Sequence, residues 1–236
     1  MTWHGWLEMA AAAVLFFASH SAPALPALRR RLVGALGEAG YLTLYSLASL
    51  FALGWLIVAA GRAPYVEVWA FQPWQLWVPN LAMPVACLLL AFGVATPNPL
   101  SVGGRGACAF DPEKPGIAGI TRHPLLWALV LWSSAHLVPN GDLAHVLLFG
   151  AFAGFALLGM AAMDRRFKRT LGEAEWKRLA RRTSLVPFAA LAGGRWRPAR
   201  ADIDAELLVR LLAGGALYLV LLSAHELAIG VSPLPP

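Results

Sequence analysis

Charge is scarce in this chain. Only 14% of its 236 residues are Asp, Glu, Lys or Arg, against about a quarter in ordinary soluble domains. That shortage excludes a conventional soluble surface, and the complementary surplus says why: 58% of the residues are hydrophobic and the mean hydropathy is +0.61. One soluble core cannot absorb so much apolar surface, so the bilayer is the natural solvent. Acidic residues are scarcer than basic ones, 13 against 19, which leaves a formal net charge of +6. The excess does not indicate nucleic acid, because the cations sit in loops between apolar runs, as they do in inner-membrane proteins. Cysteine is nearly absent. Cys87 lies inside an apolar run and Cys108 in a basic loop, so neither a disulfide nor a zinc-type cluster is expected. No Cys-x-x-Cys-His occurs, which excludes c-type haem, and no His-Glu-x-x-His or carboxylate triad occurs, which excludes the usual zinc hydrolases. No internal repeat is visible.

What is present is a series of apolar runs: about 6–20, 41–61, 81–95, 124–138, 143–163 and 207–230. The first is short and Ala-rich, but no Lys or Arg precedes it, so it reads as a span and not as a secretory signal. Ala22-Pro23-Ala24-Leu25-Pro26 breaks it. Pro84 is expected to kink the third run. Pro124 occupies the favoured first-turn position of the fourth, and Asn140-Gly141-Asp142 is a strong turn signal that makes runs four and five a tight hairpin. The Gly- and Pro-rich stretch from Leu100 to Gly119 reads as a loop. Several Trp residues (Trp3, Trp6, Trp69, Trp74, Trp77) fall near run ends, where indoles sit at headgroup depth. The expected fold is an all-α polytopic bundle: one membrane domain over 1–236 with about six transmembrane helices.

The cations orient it. The loops after runs one, three and five carry three, three and eleven Lys/Arg, whereas the loops after runs two and four carry Arg62 alone. The positive-inside rule then places the three basic loops in the cytoplasm and both termini in the periplasm of a bacterial inner membrane. Within 164–182, Met163, Phe167 and Leu171 recur at helical spacing while Arg165, Arg166, Lys168 and Arg169 point elsewhere. Two readings fit this segment: an amphipathic cytoplasmic helix lying on anionic lipid, or a solvated basic loop.

The histidines are the candidate chemistry. Five of six (His20, His123, His136, His145 and His225) lie within or at the ends of spans, where ionisable groups are costly and usually face a cavity. His136 lies about 20 Å along run four from His123. Topology therefore suggests an inner pair, His20 and His123, and an outer set, His136, His145 and His225. Neutral imidazole ligates iron, zinc or copper, and haem needs only one or two axial ligands in an apolar cleft between helices. For each histidine alone, a ring bonded to a backbone carbonyl is an equal reading. Glu226, which follows His225, reads as a helix-end carboxylate ahead of a group that orients His225 or relays a proton.

A joined pattern then becomes specific. His20-Ser21, Gly37-Glu38-Ala39-Gly40-Tyr41, Thr121-Arg122-His123-Pro124, Leu131-Trp132-Ser133-Ser134-Ala135-His136-Leu137 and Asn140-Gly141-Asp142 with Leu148-Phe149-Gly150 together resemble the NnrU family. Bacterial members of that family are associated with denitrification and nitric oxide metabolism. The chain is also similar to the related 15-cis-zeta-carotene isomerases at Ile120 to Pro124, Trp132 to His136, Asp164-Arg165-Arg166, Arg182 to Ala190 and Ala224-His225. Those enzymes use haem b held by histidines. The resemblance implies haem b here, with His20 and His136 as metal ligands and His123 as a further motif position; Arg122 then reads either as a partner of a haem propionate or as an ordinary inner-face anchor. Because the span order sets His20 and His136 at opposite faces, His123 and His225 are the substitutes topology favours. The isomerases carry a cysteine three residues before the second ligand, where this chain has Ser133.

Three functions follow from these resemblances. One is cis-trans isomerisation of a hydrophobic polyene such as a carotene. A second is a non-catalytic haem or nitric-oxide-responsive accessory role in denitrification. The third comes from Arg122-His123-Pro124, Asp164, Leu171-Gly172, Trp176 and Pro187, which resemble membrane methyltransferases of the isoprenylcysteine carboxyl type and imply S-adenosylmethionine. There Asp164-Arg165 stands in place of two glutamates. The expected partners are the bilayer and a hydrophobic small molecule.

Overall fold

A computed structural model describes residues 3–21, 26–104, 110–198 and 204–235. Cys108 and the Ala22 to Leu25 break lie outside the described residues. Among those described, the chain is all-α, with a single isolated bridge between Glu67 and Asp142. The helices are α1 (His4–Ser21), α2 (Pro26–Arg62), α3 (Trp77–Gly93, led in by a 3-10 turn at Pro73–Leu76), α4 (Ile117–Ile120), α5 (Pro124–Leu137), α6 (Leu143–Leu171), α7 (Glu173–Ala180), α8 (Ala189–Ala192) and α9 (Ala205–Ile229).

Each apolar run is a helix. Four helical segments among the described residues are long and apolar enough to cross a membrane: Ala27–Arg62, Pro73–Gly93, Leu143–Leu171 and Ala205–Ile229. The expected count of six is therefore met only in part. A straight helix needs about 20 residues to cross the hydrocarbon, and α5 has 14. Two boundaries also differ from expectation. Helix α2 begins at Pro26, well before Tyr41, because its Ala-, Leu- and Arg-rich start favours helix; Gly37, at φ 71°, interrupts the helical geometry inside it. Helix α6 does not stop at Met163. It runs on through the basic residues to Leu171 and ends at Gly172, whose φ of 80° no other residue type adopts cheaply. The amphipathic stretch thus divides into the last two turns of α6 and a separate α7. Pro84 lies inside α3, which continues through it.

The chain packs as two compact units, Met1–Ala70 with Gly141–Leu148, and Phe71–Asn140 with Phe149–Pro236. In the first, α1 packs along α2. Gly5 permits the approach, since a Cβ there would stand 2.7 Å from the Arg62 carbonyl oxygen. Glu8 accepts from Trp55 Nε1 at 3.2 Å and from Arg62 Nη1 at 3.3 Å. The expected turn before α6 is present, and Val68 and Trp69 both donate backbone N–H groups to Gly141. In the second unit, α3 packs against both α5 and α9, and Val130 of α5 is buried against Ala156 and Met160 of α6. Gly214 of α9 sits on Leu88, where a Cβ would lie 2.8 Å from Leu88 Cδ2. Asp204 caps α9 through Leu207 N at 2.9 Å, and Gly230 ends it at φ 86°. Both sites of interest lie in this second unit.

Candidate functional site

The first site is a buried polar knot at the start of α5. Thr121 is extended, and His123 takes the N-cap position before Pro124. The segment is clamped by Ser184, whose carbonyl accepts from Arg122 N at 2.7 Å, and by Asn98, whose Nδ2 donates to the Arg122 carbonyl at 2.9 Å. Arg122 is 5% exposed and His123 fully buried. Arg122 Nε donates to Thr183 Oγ1 at 2.9 Å, and Nη1 forms an ion pair with Asp164 of α6. The other Asp164 oxygen lies 3.2 Å from His123 Nε2, and Ser101 Oγ lies 3.2 Å from His123 Nδ1. The Trp176 ring of α7 carries the Arg122 guanidinium at 4.9 Å and the Lys168 ammonium at 4.2 Å. Every ring nitrogen of His123 and both carboxylate oxygens of Asp164 are thus engaged inside the knot.

The second site is an apolar cleft of about 320 Å³ between α3, α5 and α9, at the low end for small-molecule pockets. Phe71, Leu76, Met83, Leu221 and Leu222 form most of its apolar wall, and His136 and His225 contribute imidazoles. His136 lies one turn above Trp132, and its Nδ1 is 2.8 Å from the Trp132 carbonyl oxygen. Its ring packs 5.6 Å from both Trp132 and Phe149. His225 Nδ1 is 3.0 Å from the carbonyl oxygen of Val231, beyond the end of α9. Asn80 of α3 holds the same terminal segment, donating to Pro233 O at 2.7 Å, while Tyr218 reaches Asn80 Oδ1 at 3.5 Å.

The remaining candidates lie in the first unit. His20 Nδ1 is 2.8 Å from Phe16 O, and its ring stacks on Phe16 at 4.0 Å. His145 pairs with Asp142 at 2.7 Å. Of the sequence-based candidates, the second unit therefore joins His136 with His225, and Arg122 with His123. Ser133 is buried on α5 and donates to Leu129 O at 2.6 Å. The methyltransferase-like pattern grouped Arg122 and His123 with Asp164 and Trp176, which the structure brings together. Sequence reasoning did not connect them to Ser101, Asn98 or Thr183.

A family model described as NnrU protein matches residues 8–233. The chain belongs to the NnrU family. Among curated proteins, this NnrU chain is similar to chloroplastic 15-cis-zeta-carotene isomerases. It is 39% identical to that of Zea mays and 34% identical to that of Arabidopsis thaliana, in each case over 80 residues. Those stretches cover 34% of the NnrU chain and 22% of each isomerase, so it spans about a fifth of the length of these relatives. No solved structure matches.

Proposed function

We propose that this NnrU protein is a haem-binding isomerase of a hydrophobic polyene, acting within a bacterial inner membrane. The observation that carries the reading is His136, an imidazole set into an apolar cleft of a membrane-embedded unit, in a chain similar to proteins named for isomerising a carotene. The donor chemistry fits iron. A carbonyl oxygen only accepts, so the Nδ1 of His136 carries the proton and Nε2 keeps its lone pair, the arrangement by which proteins orient metal-ligating histidines. A bare metal ion fits less well: no group of three or more His, Cys, Asp or Glu gathers among the described residues, whereas a porphyrin brings four nitrogens of its own. Bound there, haem would supply a metal centre able to lower the order of a conjugated double bond. The chain's own part is to hold the iron through His136, to exclude water with the Phe71, Leu76, Met83 and Leu221 walls, and to admit an apolar chain.

The polar knot serves this reading as scaffold. It fixes the first turn of α5, the helix that carries His136. The same engagement of His123 and Asp164 argues against the methyltransferase reading, which needs polar atoms directed at a nucleotide cofactor.

The test is expression in bacteria that accumulate 15-cis-zeta-carotene. Wild-type protein should convert the central cis bond, and His136→Ala should lose at least about 90% of that conversion at equal membrane abundance. A haem spectrum without any conversion would move the reading to a non-catalytic haem protein. Wild-type protein without a Soret band, purified from haem-replete cells, would remove it.

A further inference from the structure

We propose that the basic end of α6 is a binding site for an anionic phospholipid, with Arg165, Arg166 and Arg169 holding the phosphate and the exposed apolar face of the same helix holding an acyl chain. The site shares no residue with the cleft, so its test is independent of the haem reading.

The first observation is a difference between cations. Six in the second unit are matched to acids: Arg122 to Asp164, Lys177 to Glu173, Arg178 to Glu175, Arg181 and Arg182 to Glu113, and Arg210 to Glu206. Lys168 lies over the Trp176 ring. Arg165, Arg166 and Arg169 are exposed, and none makes an ion pair, a hydrogen bond or a cation–π contact with a described residue. Cations in a last turn offset the helix dipole, which accounts for Arg169 but not for Arg165 and Arg166, which precede that turn. Three adjacent guanidinium groups without a counter-charge suit a phosphate, which arginine binds through paired hydrogen bonds.

The second observation is what the three share a face with. At 100° per residue, Arg165, Arg166 and Arg169 fall within an arc of about 100°. Phe167 points the other way, onto the buried cluster of Leu100, Phe110, Ala118, Leu179 and Ala180. That contact and the ion pair of Asp164 with Arg122 fix the rotation of α6 about its axis. The arginine face continues up the span as apolar surface. Ala162, Leu158 and Ala151 lie three, seven and 14 residues before Arg165, and all are exposed, Leu158 at 71%. This track runs about 21 Å along the helix from the arginines, within a segment long and apolar enough to cross a membrane. An anionic headgroup at the arginines with its acyl chain on the track matches both parts. A nucleic acid or an acidic protein matches the charge and leaves the track uncovered.

The experiment uses the full chain in a neutral detergent, titrated with phosphatidylglycerol or with phosphatidylcholine, and bound lipid is counted by native mass spectrometry. Wild-type protein should prefer phosphatidylglycerol at least about fivefold. The triple variant Arg165→Gln, Arg166→Gln, Arg169→Gln should lose that preference. The triple variant Lys177→Gln, Arg178→Gln, Arg181→Gln removes as much charge from matched cations and should keep it. Leu158→Gln, at unchanged charge, should weaken phosphatidylglycerol binding at least about threefold. Glycerol phosphate, a headgroup without tails, should not displace the lipid at equal concentration. If the first triple variant does not fold, Arg165→Gln and Arg169→Gln singly should each lower the preference. Equal losses in the two triple variants would reduce the effect to net charge and overturn the proposal. So would displacement by glycerol phosphate, which marks a site for a soluble phosphate. Wild-type protein without a preference for phosphatidylglycerol overturns it as well, even if it binds an oligonucleotide instead.

Discussion

Asp164 is the residue on which the polar knot turns. It faces Arg122 through one oxygen and His123 through the other, with 16% of its side chain exposed. Removing one member of a buried ion pair leaves the other charge uncompensated, at a cost of about 3–5 kcal/mol. Asp164→Asn should therefore lower the melting temperature of the detergent-solubilised protein far more than Glu173→Gln, whose carboxylate is exposed and paired with Lys177 one turn on. A similar effect of the two substitutions would show that Arg122 finds compensation elsewhere. The Arg122-His123-Pro124 segment stands out in the sequence, and Pro124 marks the helix start correctly. Its partner is marked only by the methyltransferase-like pattern, because Asp164 lies 41 residues beyond His123 and nothing local connects them. Ser133 poses a different question. Its hydroxyl is spent on the α5 backbone, so Ser133→Ala should leave any haem spectrum within a few nanometres of wild type.

At the scale of elements, helix ends and close approaches were set by single glycines. The basic residues after Met163 read equally as a surface helix or as a solvated loop, since charge usually marks the end of a span. Yet Arg165, Arg166, Lys168 and Arg169 are good helix formers, and the backbone stays helical until Gly172. Lys168 finds the Trp176 ring, while Arg165, Arg166 and Arg169 remain exposed, placed to meet headgroups as α6 leaves the hydrocarbon. Gly214 controls the contact of α9 with α3. Gly214→Leu should force α9 away from Leu88 and destabilise the second unit by about 1–3 kcal/mol, the usual range for overpacking, while Gly215→Leu, with open space at its Cβ, should be close to neutral. Thermal unfolding of the two variants side by side distinguishes them.

For the whole molecule, the distribution of cations makes the boldest claim. If the basic loops are cytoplasmic, single cysteines placed in a cysteine-free background should behave asymmetrically. One at Glu173, just after α6, should resist a membrane-impermeant thiol reagent in intact cells, and one at Tyr65, after α2, should react. The reverse pattern would invert the topology. That background replaces both Cys87, which is buried, and Cys108. Membrane residence, the helical class and the family were all legible along the chain, since hydropathy, turn chemistry and short motifs are local and add up residue by residue. The two units, the α6 extension and the partners of the knot were not, because they depend on which distant surfaces meet. The histidines make the division clearest. Sequence alone determined that imidazoles lie in or beside the spans, where their burial needs a reason. Only the tertiary structure decided that His136 and His225 share one cleft while His123 is locked in the polar knot, because packing α3 against both α5 and α9 brings together side chains that the chain itself keeps far apart.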